Sequence, residues 1–156
     1  EGTSSNGRIG STSNSPSWFS KYGSNGDVIK FHKTDGTTLY NVGSISVSSS
    51  GTTYNTTSDR RLKDNIEPIA DATDKLMAMN PVTHTWIANP EAPSVYGFIA
   101  QEMQEIVPEA VSGEDGGEDM MSMDYGRITP VLVAALQEAH NKITALEERL
   151  TKMEVN

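Results

Sequence analysis

The chain changes character at one stretch, Ser58-Asp59-Arg60-Arg61-Leu62-Lys63-Asp64-Asn65-Ile66. Residues 1–57, before it, are rich in Ser, Thr, Asn and Gly and are nearly neutral. Residues 58–156 contain the whole acidic excess and all of the strongly helix-forming segments. The composition therefore predicts two small modules, and the boundary between them falls at Ser58.

Overall composition excludes several functional classes. The chain has 156 residues, a formal net charge of −9 and no cysteine, so neither disulfides nor thiolate chemistry is expected. No apolar run is long enough to span a bilayer, and no membrane insertion is expected. The acidic balance disfavours nucleic acid as a partner, because phosphate contacts need clusters of Lys and Arg. The first residue is Glu1 rather than Met, which indicates a fragment of a longer protein.

Residues 1–57 predict β structure around too small a core. Strands are expected over 27–31 and 38–42, on either side of an Asp35-Gly36 turn, and over the alternating stretch 44–48. Large apolar side chains are few, so a monomer would bury too little surface to offset its ordering entropy. Identical chains can share one narrow core and hide their sheet edges, which favours a fibrous, intertwined β-stalk. The alternative is a flexible Ser/Thr-rich linker.

The segment after the boundary predicts a small α+β domain, because helical and strand patterns alternate along it. The expected elements are a short helix over 71–79, strands over 81–87 and 94–99, a helix over 100–106, an acidic turn over 112–119 and a strand over 120–124. Pro108 stops the second helix, since the residue before a proline is restricted.

The last segment, 126–156, predicts a long helix, and Pro130 suits its first turn, where a missing N–H costs little. Its apolar residues alternate four and three residues apart, in an unbroken heptad register typical of a coiled coil. They are Leu132, Leu136, Ala139, Ile143, Leu146, Leu150 and Met153. The alternative is an amphipathic helix that packs on its own domain.

Charges beside this register favour parallel identical chains. Lys142 and Arg149 take g positions, and Glu147 and Glu154 take the e positions that face them on a parallel neighbour. Leu and Ile at the a positions do not decide between two and three chains. A β-stalk favours three, because three strands close into a stable triangular prism.

Ser58 and Lys63 are the candidate catalytic residues. A serine hydroxyl becomes a nucleophile when a base takes its proton, and a neutral lysine can be that base. The two neighbouring arginines favour the neutral amine, whereas the two flanking aspartates oppose it. A spacing of five residues places the two side chains on different sides of a helix or strand. The pair therefore closes only if the segment turns or if Lys63 comes from a neighbouring chain, and either arrangement makes catalysis depend on completed folding.

Other chemistries lack their motifs in this sequence. There is no Gly-x-Ser-x-Gly elbow, no His-Glu-x-x-His pair and no phosphate-binding glycine loop. His32, His84 and His140 lie in different predicted elements without metal-ligand spacing. No metal and no cofactor are therefore expected.

The opening stretch resembles the first motif of the C-terminal intramolecular chaperone, or auto-processing peptidase, domain of phage tail spikes and tail fibres. The resemblance continues in family order through Tyr96-Gly97-Phe98-Ile99-Ala100-Gln101-Glu102, Val107-Pro108-Glu109-Ala110-Val111 and Met123-Asp124-Tyr125. Similar domains occur in endosialidase tail spikes, neck appendages, long tail fibres and membrane-bound myelin regulatory factors.

This resemblance implies a homotrimer in which residues 58–156 drive assembly of a triple-stranded β-helical stalk that ends at residue 57. The terminal helix then forms a parallel trimeric coiled coil. The resemblance also implies that the domain cuts itself off between Thr57 and Ser58, with Ser58 as nucleophile and Lys63 as general base of a Ser-Lys dyad. The supporting residues of the motif are Asp59, Arg60, Arg61 and Asn65.

The resemblance also implies the partners and the location. The partners are the other two copies, the stalk of the same polypeptide as client, and a host-cell surface receptor for the mature fibre. The stalk belongs to the virion tail, and the chaperone domain is made in the host cytoplasm and released. The main alternative is a trimerisation and host-adhesion tip that does not cleave. A self-released transcription factor is disfavoured, because transmembrane and basic segments are missing from this sequence.

Overall fold

The computed structural model describes residues 24–154, which form two compact units, residues 24–66 and residues 67–154. The first unit is an antiparallel sheet followed by one turn of 3₁₀ helix, and the second is a small α+β assembly that ends in a long helix. Both features agree with the α+β class predicted from the sequence. Residues 1–23 of the predicted stalk segment lie outside the described residues.

The sheet of the first unit has three strands in the order β1 (Gly26–Thr34), β2 (Leu39–Val47) and β3 (Thr52–Thr56). The predicted Asp35-Gly36 turn joins β1 to β2, and the Asp35 carboxylate accepts hydrogen bonds from the backbone N–H groups two and three residues later. The predicted hairpin is therefore confirmed. The two strands expected over 38–42 and 44–48 form the single strand β2.

The third strand was not predicted. A turn at Ser48 reverses the chain, because the Ser48 hydroxyl accepts from the backbone N–H groups of Ser50 and Gly51 at 3.2 and 3.1 Å. Strand β3 then pairs along β2, with Thr56 opposite Gly43. A side chain at Gly43 would place its Cβ 2.6 Å from a backbone oxygen of β3, so this close approach requires glycine.

This sheet buries almost nothing in a single chain. No hydrophobic side chain among residues 24–66 is buried, and Tyr54 is 77% exposed. The one buried residue of this unit is polar: Ser44 donates to Asp27 at 2.9 Å and accepts from Asn55 at 3.2 Å. The core predicted to be too small for a monomer is thus absent from the described part of the sheet.

The second unit has three helices and two small antiparallel sheets. The helices are α1 (Ala72–Ala78), α2 (Ala100–Ile106) and α3 (Thr129–Glu154), and the paired strands are β4 (Val82–His84) with β5 (Val95–Gly97), and β6 (Val111–Ser112) with β7 (Ser122–Met123). The helix predicted over 100–106 is confirmed with the same bounds. The predicted strands exist but are shorter. The first ends at His84, before the chain turns at Trp86, whose carbonyl accepts from the Asn89 N–H at 2.9 Å.

The core of this unit is compact and apolar. It consists of buried side chains from the helices and the turns between them, namely Met79, Met103, Val107, Ala110, Ile128 and Val131. Met103 and Val107 are the largest fully buried side chains in the described residues. Burial of this kind gives the second unit a hydrophobic stabilisation that the sheet lacks.

Helix α3 uses two different faces. Val131 and Ala135 are buried, and this face packs on α1. We call the seven heptad residues the heptad seam. Six of them are exposed, Leu136 to 71%, and Ala139 is partly buried. The alternative prediction, a helix packed on its own domain, thus holds for one face, while the seam stays open in a single chain.

One carboxylate joins α3 to the start of α1. Asp71, which precedes α1, has a left-handed backbone with φ 54° and makes no side-chain cap. Glu138 of α3 supplies the cap instead: it accepts from the N–H groups of Ala72 and Thr73 at 3.2 and 3.1 Å and from the Thr73 hydroxyl. These hydrogen bonds, those of Thr73 above all, hold the pKa of the Glu138 carboxyl below its usual value.

Candidate active site

The structure brings Ser58 and Lys63 into direct contact. The Lys63 Nζ donates a hydrogen bond to the Ser58 Oγ at 2.7 Å, and both side chains are exposed to solvent. Both residues belong to the same chain. A nucleophile and its base need a separation of this size for proton transfer.

A single turn of 3₁₀ helix closes the pair. The turn covers Arg60–Leu62, and it is held by the Leu62 N–H donating to the Asp59 carbonyl and the Lys63 N–H donating to the Arg60 carbonyl, both at 3.1 Å. Of the two arrangements left open by the spacing, the segment therefore turns. The contact needs no second chain.

Asp59 and Arg61 form a fork within this turn. The Asp59 Oδ1 accepts from the Arg61 backbone N–H at 2.9 Å and from its Nε at 3.1 Å, and the Oδ2 accepts from Nη2 at 2.7 Å. The Arg61 guanidinium lowers the pKa of Asp59, and Asp59 raises the pKa of Arg61. The carboxylate next to Ser58 is thereby paired with a positive charge of its own.

Thr57, the residue before Ser58, is tied to strand β2. Its backbone N–H donates to the Val42 carbonyl at 3.3 Å, and its hydroxyl donates to the Asn41 carbonyl at 2.9 Å. The Thr57–Ser58 peptide bond thus lies between a residue fixed to the sheet and a turn that carries Lys63. This arrangement positions both sides of the predicted scissile bond.

The remaining motif residues lie around the turn. The Arg60 side chain is exposed and makes no ion pair with any residue from 24 to 154. Asn65 has a left-handed backbone with φ 48°, a conformation that asparagine tolerates, and its N–H donates to the Asp64 carboxylate at 2.8 Å. The left-handed backbone at Asn65 changes the direction of the chain after Lys63.

Two features of this site were not predicted from the sequence: the Asp59–Arg61 fork and the attachment of Thr57 to strand β2. The Asp59–Arg61 fork had a local signal, because aspartate is a favoured residue at the start of a helical turn. The contacts of Thr57 with Asn41 and Val42 had none, because they depend on the pairing of β3 with β2.

The described residues contain no metal-like cluster of side chains. Between residues 24 and 154, no group of three or more His, Asp or Glu side chains is placed to hold a metal ion. His84 packs edge-on against Trp86, with ring centroids 5.2 Å apart. No helix within the same range is long and apolar enough to cross a membrane.

Residues 58–112 match the family model described as the chaperone of endosialidase, a family whose name classes it among the peptidases. The match begins at Ser58, the residue in contact with Lys63. The predicted resemblance of this part of the chain to the C-terminal chaperone domain of phage tail spikes and tail fibres is confirmed.

Curated relatives point to the same class. The chain is 28% identical over 134 residues to the long tail fiber protein Gp37 of Enterobacteria phage K3, covering 83% of this chain and 10% of that protein. It is 30% identical over 98 residues to Gp37 of Enterobacteria phage T2, covering 60% of this chain and 7% of that protein. For Gp37 of Escherichia phage AR1 the identity is 31% over 87 residues, with coverages of 52% and 8%.

The chain therefore spans a tenth or less of the length of the relatives named here. The family match is thus to a chaperone, and the relatives are long tail fiber proteins. The small α+β fold with a long C-terminal helix is compatible with such a chaperone domain.

Proposed function

We propose that residues 58–156 are an intramolecular chaperone that drives trimerisation and folding of a tail-fibre stalk and then releases itself by autoproteolysis at Thr57–Ser58. The observation that carries this proposal is the 2.7 Å contact of Lys63 Nζ with Ser58 Oγ, at the first residue of the family match. Ser58 is the nucleophile and Lys63 the general base.

The chemistry proceeds in two steps. Lys63, in its neutral form, takes the Ser58 hydroxyl proton, and the Oγ attacks the Thr57 carbonyl carbon. The C–N bond breaks, the proton passes from Lys63 to the Ser58 nitrogen, and an ester joins Thr57 to the Ser58 side chain. Water then attacks the ester with Lys63 as base, which leaves a Thr57 carboxylate and the free Ser58 hydroxyl. Proximity lowers the entropic barrier, because Ser58 adjoins the bond that it attacks.

The two exposed apolar surfaces support the proposed homotrimer. The heptad seam is open in a single chain, and the heptad register assigns Lys142 and Arg149 to g positions, which in a parallel assembly would meet Glu147 and Glu154 of neighbouring chains. A trimeric coiled coil covers the seam, and a triple-stranded β-helical stalk ending at residue 57 covers the apolar side chains of the sheet. The stalk is the client, and a host-cell receptor is the partner of the mature fibre.

The test is self-cleavage of the full chain. The purified protein is analysed on a denaturing gel and by mass spectrometry, and the smaller fragment should begin at Ser58. We expect Ser58→Ala and Lys63→Met to remain full length. Ser49→Ala, an exposed serine in the turn before β3, is the matched control and should cleave as the wild type does. Cleavage of Ser58→Ala before residue 58 contradicts the dyad.

One observation favours the second candidate, a trimerisation and host-adhesion tip that does not cleave. Ser58 and Lys63 are both exposed, whereas a lysine that activates a nucleophile is typically removed from solvent. A wild-type chain that stays in one piece from neutral to alkaline pH, yet sediments as a trimer, supports this tip. The proposed enzyme predicts instead a cleavage rate that rises with pH.

A further inference from the structure

We propose that Asp59 and Arg61 are a positioning pair for self-cleavage, which fixes the turn between Ser58 and Lys63 and removes a carboxylate from the neighbourhood of the base. This inference rests on the proposed function. Neither residue touches the Thr57–Ser58 bond in the mechanism above, so both act through Lys63.

The first part of this role is geometric. Asp59 caps the 3₁₀ turn by accepting from the Arg61 N–H, and the same carboxylate accepts from the Arg61 Nε and Nη2. An Arg–carboxylate pair with two or more hydrogen bonds has a fixed geometry, unlike a single surface ion pair. Opening the fork frees the turn and lets Lys63 move away from Ser58.

The second part is electrostatic. Four charged residues flank Lys63 in this turn: Asp59, Arg60, Arg61 and Asp64. A carboxylate paired with Lys63 would hold the amine in its protonated form, in which it cannot be a base. Lys63 forms no ion pair with any carboxylate among residues 24–154, and its side chain bonds to Ser58. For Asp59 the fork accounts for this, because Arg61 already occupies both of its oxygens.

Two single variants each remove one charge of the pair, and they should shift the pH dependence of cleavage in opposite directions. Asp59→Asn keeps an oxygen that can accept from the Arg61 N–H but leaves the guanidinium uncompensated, so the rate profile should shift to lower pH. Arg61→Gln leaves the Asp59 carboxylate free to pair with Lys63, so the profile should shift to higher pH. Each shift should be roughly half a pH unit at low salt, for a single charge at a solvated site.

The double variant Asp59→Asn/Arg61→Gln is the matched control for the geometry. It removes both charges, so its profile should return to the wild-type pH while its maximal rate stays several-fold lower, because the fork is gone. Circular dichroism should show the same fold in all three variants, since both side chains are exposed.

The outcomes distinguish the two proposals. A wild-type chain that does not cleave, or a Ser58→Ala chain that does, overturns the proposed function and the positioning pair with it. A wild type that cleaves while both single variants keep its pH profile, shift it in the same direction or lose all cleavage overturns the positioning pair alone. Unfolding of a single variant also overturns it, because the pair would then support the whole unit rather than one turn.

Discussion

The two compact units differ in what a single chain can bury. The second unit encloses Met103 and Val107 completely, whereas the first unit, as far as the structure describes it from residue 24, buries only the polar Ser44 and leaves Tyr54 in solvent. A unit with an apolar core has the means to fold by itself, but a thin sheet without one needs a partner to offset the entropy of ordering. The difference matches the proposed roles: the second unit is most of the proposed chaperone, which folds first, and the sheet of the first unit is the end of the proposed stalk, which folds when three copies come together.

The largest effect is expected in the core of the second unit, where we test how much the buried side chains contribute to the free energy of unfolding. Met103→Ala should lower the free energy of unfolding by about 2–5 kcal/mol, since it leaves a cavity at a fully buried site. Urea unfolding of the uncleavable Ser58→Ala chain, followed by circular dichroism, measures it. Met77→Ala is the matched control, because Met77 is 77% exposed and should cost less than about 0.5 kcal/mol. Equal costs for the two would contradict the comparison.

A smaller effect is expected at the heptad seam, where the second unit itself depends on partners. Ile143→Asp should weaken trimer formation at least about tenfold, because a carboxylate would have to be buried between the helices. Sedimentation of the Ser58→Ala chain over a concentration series measures the assembly. Thr144→Asp places the same charge one residue away, outside the seam, and should leave the trimer intact. A monomeric wild-type chain would show that the exposed seam does not self-associate.

The smallest effect concerns the Glu138 cap inside the second unit. Its pKa is lowered in the folded state, so its stabilisation is fully present above the usual pKa of a glutamate and is lost as pH falls through the folded value. Glu138→Gln should lower the thermal midpoint by a few degrees at neutral pH and by less as the solution becomes acidic. Glu148→Gln, on an exposed turn of the same helix, is the control. A variant that melts like the wild type at every pH contradicts the cap.

Local signals predicted most of the fold. The Asp35-Gly36 turn indicated the first hairpin, Pro108 fixed the end of α2, and the heptad register indicated α3. Strand β3 was not predicted, because its residues show no alternation of apolar and polar side chains and become a strand through pairing with β2. The second face of α3 was not predicted either, since Val131 and Ala135 lie outside the heptad pattern and are buried only through the packing of α3 on α1.

In the candidate site, too, the local features were predicted from the sequence and the long-range contacts were not. The sequence identified Ser58 and Lys63, and their spacing limited the pair to two arrangements, of which the turn is the one found. The expectation that catalysis depends on completed folding stays a prediction, because the turn by itself closes the pair within residues 58–63. The hydrogen bonds that attach Thr57 to strand β2 join residues that are far apart in the sequence, and so do those of the Glu138 cap. Contacts of that kind are set by tertiary packing, which a single sequence does not display.

The hold on Thr57 has a consequence for the protein that remains after release. Under the proposed cut, Thr57 becomes a chain end whose N–H and hydroxyl are already bound to Val42 and Asn41. The stalk would then end at a residue that is hydrogen-bonded to strand β2. It would have no free C-terminal tail for a carboxypeptidase to remove, and the N–H of its last residue would already have an acceptor. The two hydrogen bonds that position the Thr57–Ser58 peptide bond for cleavage would thus also hold the new C-terminus on the sheet.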